Sequence, residues 1–218
     1  MRYELVKKFF SKTSLSYDKI VAITTFNMDA RWKEYMLSLI PENNRCLDLA
    51  CGTGILTSML KRKSRDVIGL DIIYNSLIIA KVKGNEVLQG AAEYLPFKDN
   101  SIDIITASYL PKYCDPELTI MECARVLRDQ GLLIMHDFTY PSGVMRILWI
   151  AYFKILKFIG FFIPSWKDVF NELDKVIADS NWISDLSKEM EKNGFSDIRF
   201  ISLTMNTAGI LYARLNKP

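Results

Sequence analysis

Five short runs between residues 45 and 138 are apolar almost throughout: 45–50, 66–70, 86–90, 102–108 and 131–138. Short continuous runs of this kind read as strands covered on both faces, the pattern of a parallel sheet between helical layers. Helical spacing fills most of the gaps. One helix is expected over 54–61. Another starts after Asp115, where the carboxylate can cap and Pro116 suits the first helical position. It carries Leu118, Met121, Ala124 and Leu127 at helical spacing. Strand–helix alternation predicts a doubly wound α/β sheet. The ending differs. Residues 181–195 read as a helix with Trp182, Leu186 and Met190 on one face and Gly194 as its stop. Two strand-like runs follow, 197–205 and 209–215, joined by a short polar turn. A terminal hairpin on a parallel sheet implies one antiparallel strand.

One stretch breaks the pattern. Residues 144–163 are nearly all apolar and aromatic. The stretch is long enough for a bilayer, for which ~20 residues suffice. Lys154 and Lys157 oppose that reading, at about 2.5–3.5 kcal/mol each near the membrane centre. Arg146, Lys154 and Lys157 share one sector of the helix, which makes it amphipathic with a wide apolar face. A single crossing here would also separate strands of one sheet across a membrane. The expectation is a lid or membrane-surface helix, broken near Gly160 and Pro164. The plainer alternative is a helix that thickens the core.

The 218 residues suit one domain, with 1–40 as N-terminal cap helices and 141–178 as an inserted hydrophobic lid. The net charge of +3 gives no argument for nucleic acid. Cys46, Cys51, Cys114 and Cys123 lack CxxC spacing, and His136 is the single histidine. That disfavours a zinc site or a disulfide framework, and makes a reduced, cytoplasmic setting the default. The first ten residues show no long apolar core or cleavage site of a signal peptide. Nothing in the pattern sets an oligomeric state.

The chemistry centres on "LDLACGTGILT", residues 47–57, where the first strand ends in a glycine turn that opens a helix. Glycines admit close backbone approach, and a helix N-terminus favours polar groups. A dinucleotide fingerprint needs glycine at 57, where Thr57 stands. Asp48 within the strand is ill placed for a pyrophosphate and suits a ligand carrying an amino group or sulfonium. Asp71, at the end of the second strand, can accept both hydroxyls of a ribose. Either aspartate alone is open to the plainer reading of a strand-end carboxylate. Cys51 reads as a small wall residue.

With these residues in place, the chain resembles class I S-adenosylmethionine-dependent methyltransferases. More narrowly, it is similar to the quinone C-methyltransferases of ubiquinone and menaquinone synthesis. "YDKI", "FNMDARWK", "LDLACGTG", "AEYLPF", "ARVLRDQG" and "HDFTYP" carry the likeness nearly end to end. The resemblance implies a Rossmann-like fold with a seven-stranded, mostly parallel sheet. It implies S-adenosyl-L-methionine as cofactor. Asp48 and the turn Cys51, Gly52, Thr53 and Gly54 would hold the methionine end. Asp71 would take the ribose hydroxyls, with Ile72 packing on adenine. Ala91 and Ala92 would face the adenine edge, Ser108 would lie beside the methionine moiety, and Tyr17 would close over the site. Two positions depart from the family pattern. Ala91 stands where the family has Asp or Asn, and "YLPKYCD" replaces a Gly-Leu-Arg-Asn stretch after the fourth strand.

The reaction so implied is methyl transfer to a ring carbon of a lipophilic quinol such as a demethylmenaquinol. A phenol's pKa near 10 calls for a base or hydrogen-bonding partner. His136 and Asp137, at the end of the fifth strand, are the catalytic candidates, with Lys112 and Tyr113 as competitors. Methylation of oxygen or nitrogen on another small apolar molecule is the alternative enzyme. A non-catalytic cofactor-binding or partner module is the alternative outside catalysis.

Overall fold

The computed structural model describes residues 3–217. Three helices open the chain: α1 (Tyr3–Phe10), α2 (Tyr17–Thr24) and α3 (Met28–Ser38). The α/β region follows as β1 (Arg45–Leu49), α4 (Ile55–Leu60), β2 (Asp66–Asp71), α5 (Tyr74–Val82), β3 (Glu86–Gln89), β4 (Ile102–Ser108), α6 (Pro116–Val126) and β5 (Leu127–Phe138). Then come α7 (Gly143–Gly160), a 3₁₀ turn (Pro164–Trp166), α8 (Lys167–Ala178), α9 (Trp182–Lys192), β6 (Phe195–Leu203) and β7 (Ala208–Leu215).

The strands form one sheet in the order β3-β2-β1-β4-β5-β7-β6. The first five pair in parallel, and β7 runs antiparallel between β5 and β6. The expected seven-stranded α/β architecture with one reversed strand is therefore the one observed. Strand order reverses between β1 and β4, the place where open α/β sheets bind ligands at their carboxyl edge.

Three details differ from the sequence pattern. The run at 86–90 is not covered on both faces: β3 is an edge strand, and Glu86, Leu88 and Gln89 are exposed. Strand β5 begins at Leu127, which pairs with Ile102 before a bulge, where Gln130 takes a positive φ of 61°. The apolar face of α6 is rotated from the expected one. Ile120, Cys123 and Val126 are buried against the sheet, while Met121 is exposed. Both candidate faces have helical spacing, and the sheet selects the one that carries Ile120, Cys123 and Val126.

Each face of the sheet has its own core. Leu47, Ile105, Leu133, Trp182, Leu186 and Met190 form one, with α9 turning its expected face inward. Met36, Cys46, Leu56, Ile104 and Ile134 form the other under α3 and α4. A third core lies above the carboxyl edge and joins Val6 and Phe9 of α1 to Trp149, Phe153, Trp166 and Phe170. Two segments far apart in sequence thus make one cover, tied by Lys8 to Glu172 at 2.5 Å and Trp166 Nε1 to Ser16 Oγ at 2.8 Å. Helix α7 ends at Gly160, as the glycine–proline spacing predicts. There a Cβ would stand 3.1 Å from the Phe170 ring.

The start of α6 is as expected, with Asp115 accepting from Leu118 N at 3.1 Å and Pro116 first in the helix. Asp115→Ala should cost about 1 kcal/mol. In a chain of this size that lowers Tm by roughly 2–4 °C in a thermal melt.

Candidate active site

The turn after β1 departs from extended backbone at once. Ala50, Gly52 and Gly54 all have positive φ. Gly54 precedes α4 at φ +79°, and a Cβ there would stand 2.4 Å from Asn85 Nδ2, so only glycine fits. The turn is held by Asp71 from the next strand. One carboxylate oxygen accepts from Gly52 N at 2.8 Å and the other from Ile73 N at 2.7 Å. Burial pushes the Asp71 carboxyl above the usual range, and these N–H groups oppose that.

Asp48 lies beneath the same turn, 1% exposed. Thr57 Oγ1 donates to it at 2.7 Å and Thr106 Oγ1 at 2.9 Å. Burial pushes its carboxyl up to about 6, with the two hydroxyls and the Lys33 charge acting the other way. Thr57, which breaks the dinucleotide pattern, is thus the side chain that solvates Asp48. A cavity of about 40 Å³ opens here, lined by Asp48, Cys51, Gly52, Thr53, Ser108 and Tyr109, among others. Burial holds the Cys51 thiol far above its ordinary pKa, so it is a wall and not a nucleophile.

An adjoining cavity of about 80 Å³ is lined by Asp71, Ile72, Ile73, Ala92 and Ser108, and again by Gly52 and Thr53. Every expected cofactor residue except Gly54 and Ala91 lines one of these two spaces. Gly54 acts through the backbone turn. Ala91 is half-buried, and it is its neighbours Gly90 and Ala92 that face the cavity.

A third cavity, about 290 Å³, lies between the sheet edge and the cover. Its walls are mostly aromatic and aliphatic, among them Trp32, Phe138, Trp149, Phe153 and Phe170. Lys112 is the sole charged side chain in that lining among the described residues. Tyr17 and Tyr109 line all three spaces and form the partition between the polar and the apolar ones.

Both partitions are fixed from several sides. Tyr17 stacks on Trp166 with centroids 6.0 Å apart, and its neighbour Asp18 accepts from Thr53 Oγ1 and pairs with Lys83 at 2.5 Å. Tyr109 has φ +66°, uncommon for a bulky residue and a strain that surrounding contacts must hold. Its ring stacks on Phe138 at 5.0 Å, and its hydroxyl donates to Asp29 at 2.8 Å. Asp29 forms a buried ion pair with Lys33 one helical turn on.

His136 stands one layer behind the place the strand pattern suggests. It is fully buried and lines none of the three cavities, because the rings of Trp32 and Tyr109 lie against it at 5.4 and 5.0 Å. Its Nδ1 meets Ser108 Oγ at 2.9 Å. Burial, with Lys33 and Lys112 nearby, holds it neutral, well below an ordinary imidazole pKa. Asp137 is also fully buried and outside the cavities, paired with Lys112 Nζ at 2.5 Å. Direct contact of His136 or Asp137 with an acceptor is thus blocked in this arrangement.

A glycine turn held by a strand-two aspartate, at the switch point of this sheet, agrees with the sequence comparisons. The profile of the ubiE/COQ5 methyltransferase family matches residues 1–214. The chain belongs to that family. Among curated relatives, a demethylmenaquinone methyltransferase of Thermotoga maritima is 30% identical over 95% of each chain. One from Thermus thermophilus is 32% identical over 92% of this chain and 97% of its own. Among solved structures, a SAM-dependent methyltransferase of T. maritima, described as a possible histamine N-methyltransferase, has a TM-score of 0.69. It shares 18% identity over 94% of this chain and 97% of its own. A geranyl diphosphate C-methyltransferase of Streptomyces coelicolor has a TM-score of 0.64 at 13% identity, covering 85% and 79%. At such identity these two share the fold.

Within this methyltransferase, sequence reasoning missed Trp166, Trp32, Tyr109 and the Asp29–Lys33 pair. Trp32 and Lys33 sit in the "ARWK" segment that carried the resemblance, so a signal was present. Trp166 had none, because its partner Tyr17 is 149 residues away in sequence.

Asp48 gives a test of this electrostatic picture. Its folded pKa exceeds the unfolded value near 3.9, so its ionisation costs stability as pH rises through about 6. Thr106→Val removes a donor to the ionised form and raises that pKa further. Urea melts should show an added loss at pH 8, about 1.4 kcal/mol per unit of rise, that is absent at pH 5. An equal penalty at both pH values would count against it.

Proposed function

We propose that this enzyme transfers the methyl group of S-adenosylmethionine to a ring carbon of a lipophilic quinol such as a demethylmenaquinol. The observation that carries the reading is the pairing of cavities. Two smaller ones, holding Asp48 and Asp71, meet a larger apolar one across two tyrosines. The relatives that bear the name demethylmenaquinone methyltransferase support the same acceptor.

The donor set fits the cofactor. Asp71 would hold the ribose hydroxyls, Ile72 and Ala92 would pack about the adenine, and Asp48 would face the positive end. Burial pushes the Asp48 carboxyl up to about 6, only partly offset by two hydroxyls and the Lys33 charge, so a positively charged group beside it would be stabilised. When bound, S-adenosylmethionine supplies an electrophilic methyl group on a sulfonium. The chain's part is to orient the acceptor and exclude water. Tyr17 and Tyr109 set where the two ligands meet, and Ser108, anchored by His136, would border the methionine end.

Residues 141–178, read as a cover, also suit a membrane-bound acceptor. Among the described residues no helix is long and apolar enough to cross a membrane. Helix α7 buries Trp149, Phe153 and Leu156, yet Val144, Ile147, Leu148, Ile155 and Phe158 are exposed along one stripe. Arg146 and Lys154 flank that stripe, while Lys157 meets Asp174 at 2.9 Å. Leu148 and Phe26, both exposed, also line the apolar cavity and mark its mouth. We place this face on an anionic membrane surface.

The deciding experiment is anaerobic incubation of the purified chain with the cofactor and a prenylated demethylnaphthoquinol. Quinol-dependent release of S-adenosylhomocysteine with a C-methylated product is expected, and release without the quinol, or none, counts against the reading. Asp71→Ala should weaken cofactor binding more than tenfold by calorimetry, since a hydrogen bond to a charged group contributes about 1.5–3 kcal/mol. Unchanged affinity in a folded variant would remove Asp71 from the site. Cosedimentation with anionic vesicles should be reversible, should weaken with salt, and should drop in Phe158→Glu. Protein released only by detergent would contradict a surface contact.

A further inference from the structure

The apolar cavity contains two polar groups that its packing does not need. The first is Lys112, whose side chain is 2% exposed. Its Nζ donates to Asp137 Oδ1 at 2.5 Å and to Tyr109 O at 3.4 Å. An ammonium has three donors, so one remains. The second is the indole Nε1 of Trp149, buried and without an acceptor among the described residues. Both stand by the Phe138 ring: Nζ lies 5.7 Å from its centroid and the Trp149 ring 6.2 Å. A buried ion pair often does no better than apolar side chains of the same volume, and an orphan donor costs about 1–3 kcal/mol. Neither group is explained by stability.

We propose that Lys112 and Trp149 together read a 1,4-dihydroxylated aromatic ring, with Lys112 on the oxygen beside the reacting carbon and Trp149 donating to the oxygen across the ring. The inference rests on the quinol reading and names the residues that recognise and activate that acceptor. Lys112 is then a catalytic residue. Asp137 acts through it and is a positioning residue.

The proton step balances within the site. The hydroxyl O–H bond breaks and its proton goes to Lys112 Nζ, while Nζ passes one of its own protons to Asp137 Oδ1. An ion pair and a neutral hydroxyl become an oxygen anion, an ammonium and a neutral acid, with no change in total charge. The anion makes the neighbouring ring carbon nucleophilic. Once that carbon carries the methyl group, its own hydrogen leaves to solvent as a proton, and Asp137 returns its proton through Lys112 to the oxygen, which restores the ion pair. Burial pushes Lys112 down and Asp137 up, each partly offset by the other, which eases the exchange. Of the other titratable groups here, Tyr109 and Tyr113 present ring faces to the ammonium, His136 is neutral, and Lys33 is paired with Asp29.

The first probe is 1-naphthol, read by the absorption of its anion on the purified full chain. At pH 7 the bound probe should show the naphtholate band, K112R should keep it, and K112M should lose it. A band unchanged in K112M, no band in the wild type, or no naphthol binding would each overturn the proposal. K112M strands Asp137, so K112M/D137N, lacking both charges, is measured alongside with a melting curve, and should also lack the band. W149F should raise KM for the dihydroxy acceptor about tenfold, with kcat changed less, and leave naphthol binding alone. Equal effects on both ligands would remove Trp149. Methyl transfer should be flat across pH 6–8 in the wild type and rise with pH in D137N, whose proton must leave to solvent. A flat, full-rate D137N would remove Asp137. If no quinol is methylated while the naphtholate band still depends on Lys112, the assigned reaction fails and the cavity chemistry stands.

Discussion

The site is governed by the desolvation of carboxylates at the ends of its strands. Asp48, Asp71 and Asp137 end or nearly end three strands, and all are buried. Each is compensated differently. Asp137 has a lysine, Asp71 has two backbone N–H groups, and Asp48 has only two hydroxyls and a more distant Lys33. Neutral hydroxyls stabilise an anion less than a paired cation does. The least compensated carboxylate therefore lies where a positively charged ligand gains most, and the best compensated one lies beyond direct reach of any ligand. The different character of the cavities follows from that unequal distribution.

Much of this was legible in the sequence. Short apolar runs separated by helical spacing are enough for the parallel sheet, because burial on both faces leaves little choice of residue. The glycine turn and Asp71 were legible because close backbone approach and strand-end placement each demand a residue type. His136 shows where such reasoning stops. Its position at the end of the β5 run places it at the carboxyl edge, and it is there, but which side chain covers it depends on Trp32 from α3 and Tyr109 just after β4. Positive φ at Tyr109 was equally hidden, since nothing in "SYLPK" marks a left-handed tyrosine. The orientation of Ala91 was hidden for a related reason: the turn it sits on presents its neighbours Gly90 and Ala92 to the cavity.

The cover shows how contacts between distant segments can stand in for a domain boundary. Helix α1 is too short to be stable alone, and α7 is too apolar to be left in water. Packed together they bury Phe9, Trp149, Phe153, Trp166 and Phe170 in a core separate from those of the sheet. That core meets the sheet edge mainly through side chains that also line cavities, so the cover and the ligand spaces share walls. Tyr17 is the clearest case. Trp166 holds one face of its ring, while its neighbour Asp18 is bound to Thr53 of the glycine turn. A change in how α7 and α8 sit is thereby coupled to the glycine turn through one aromatic stack.

Helix α7 has to answer three environments at once. Its inner face must pack, which Trp149, Phe153, Leu156 and the bare Gly160 accomplish. A second face carries cations and belongs to water or to an anionic surface. The third is apolar and exposed, which a domain of this size rarely displays without a use for it. Burying that third face against the body of the protein would turn Trp149 and Phe153 outward, because they lie on another side of the same helix. The sequence therefore cannot satisfy all three faces by internal packing alone. An apolar cavity whose mouth opens beside that face gives the leftover surface a reason: a ligand with a long apolar tail can enter without its tail crossing water.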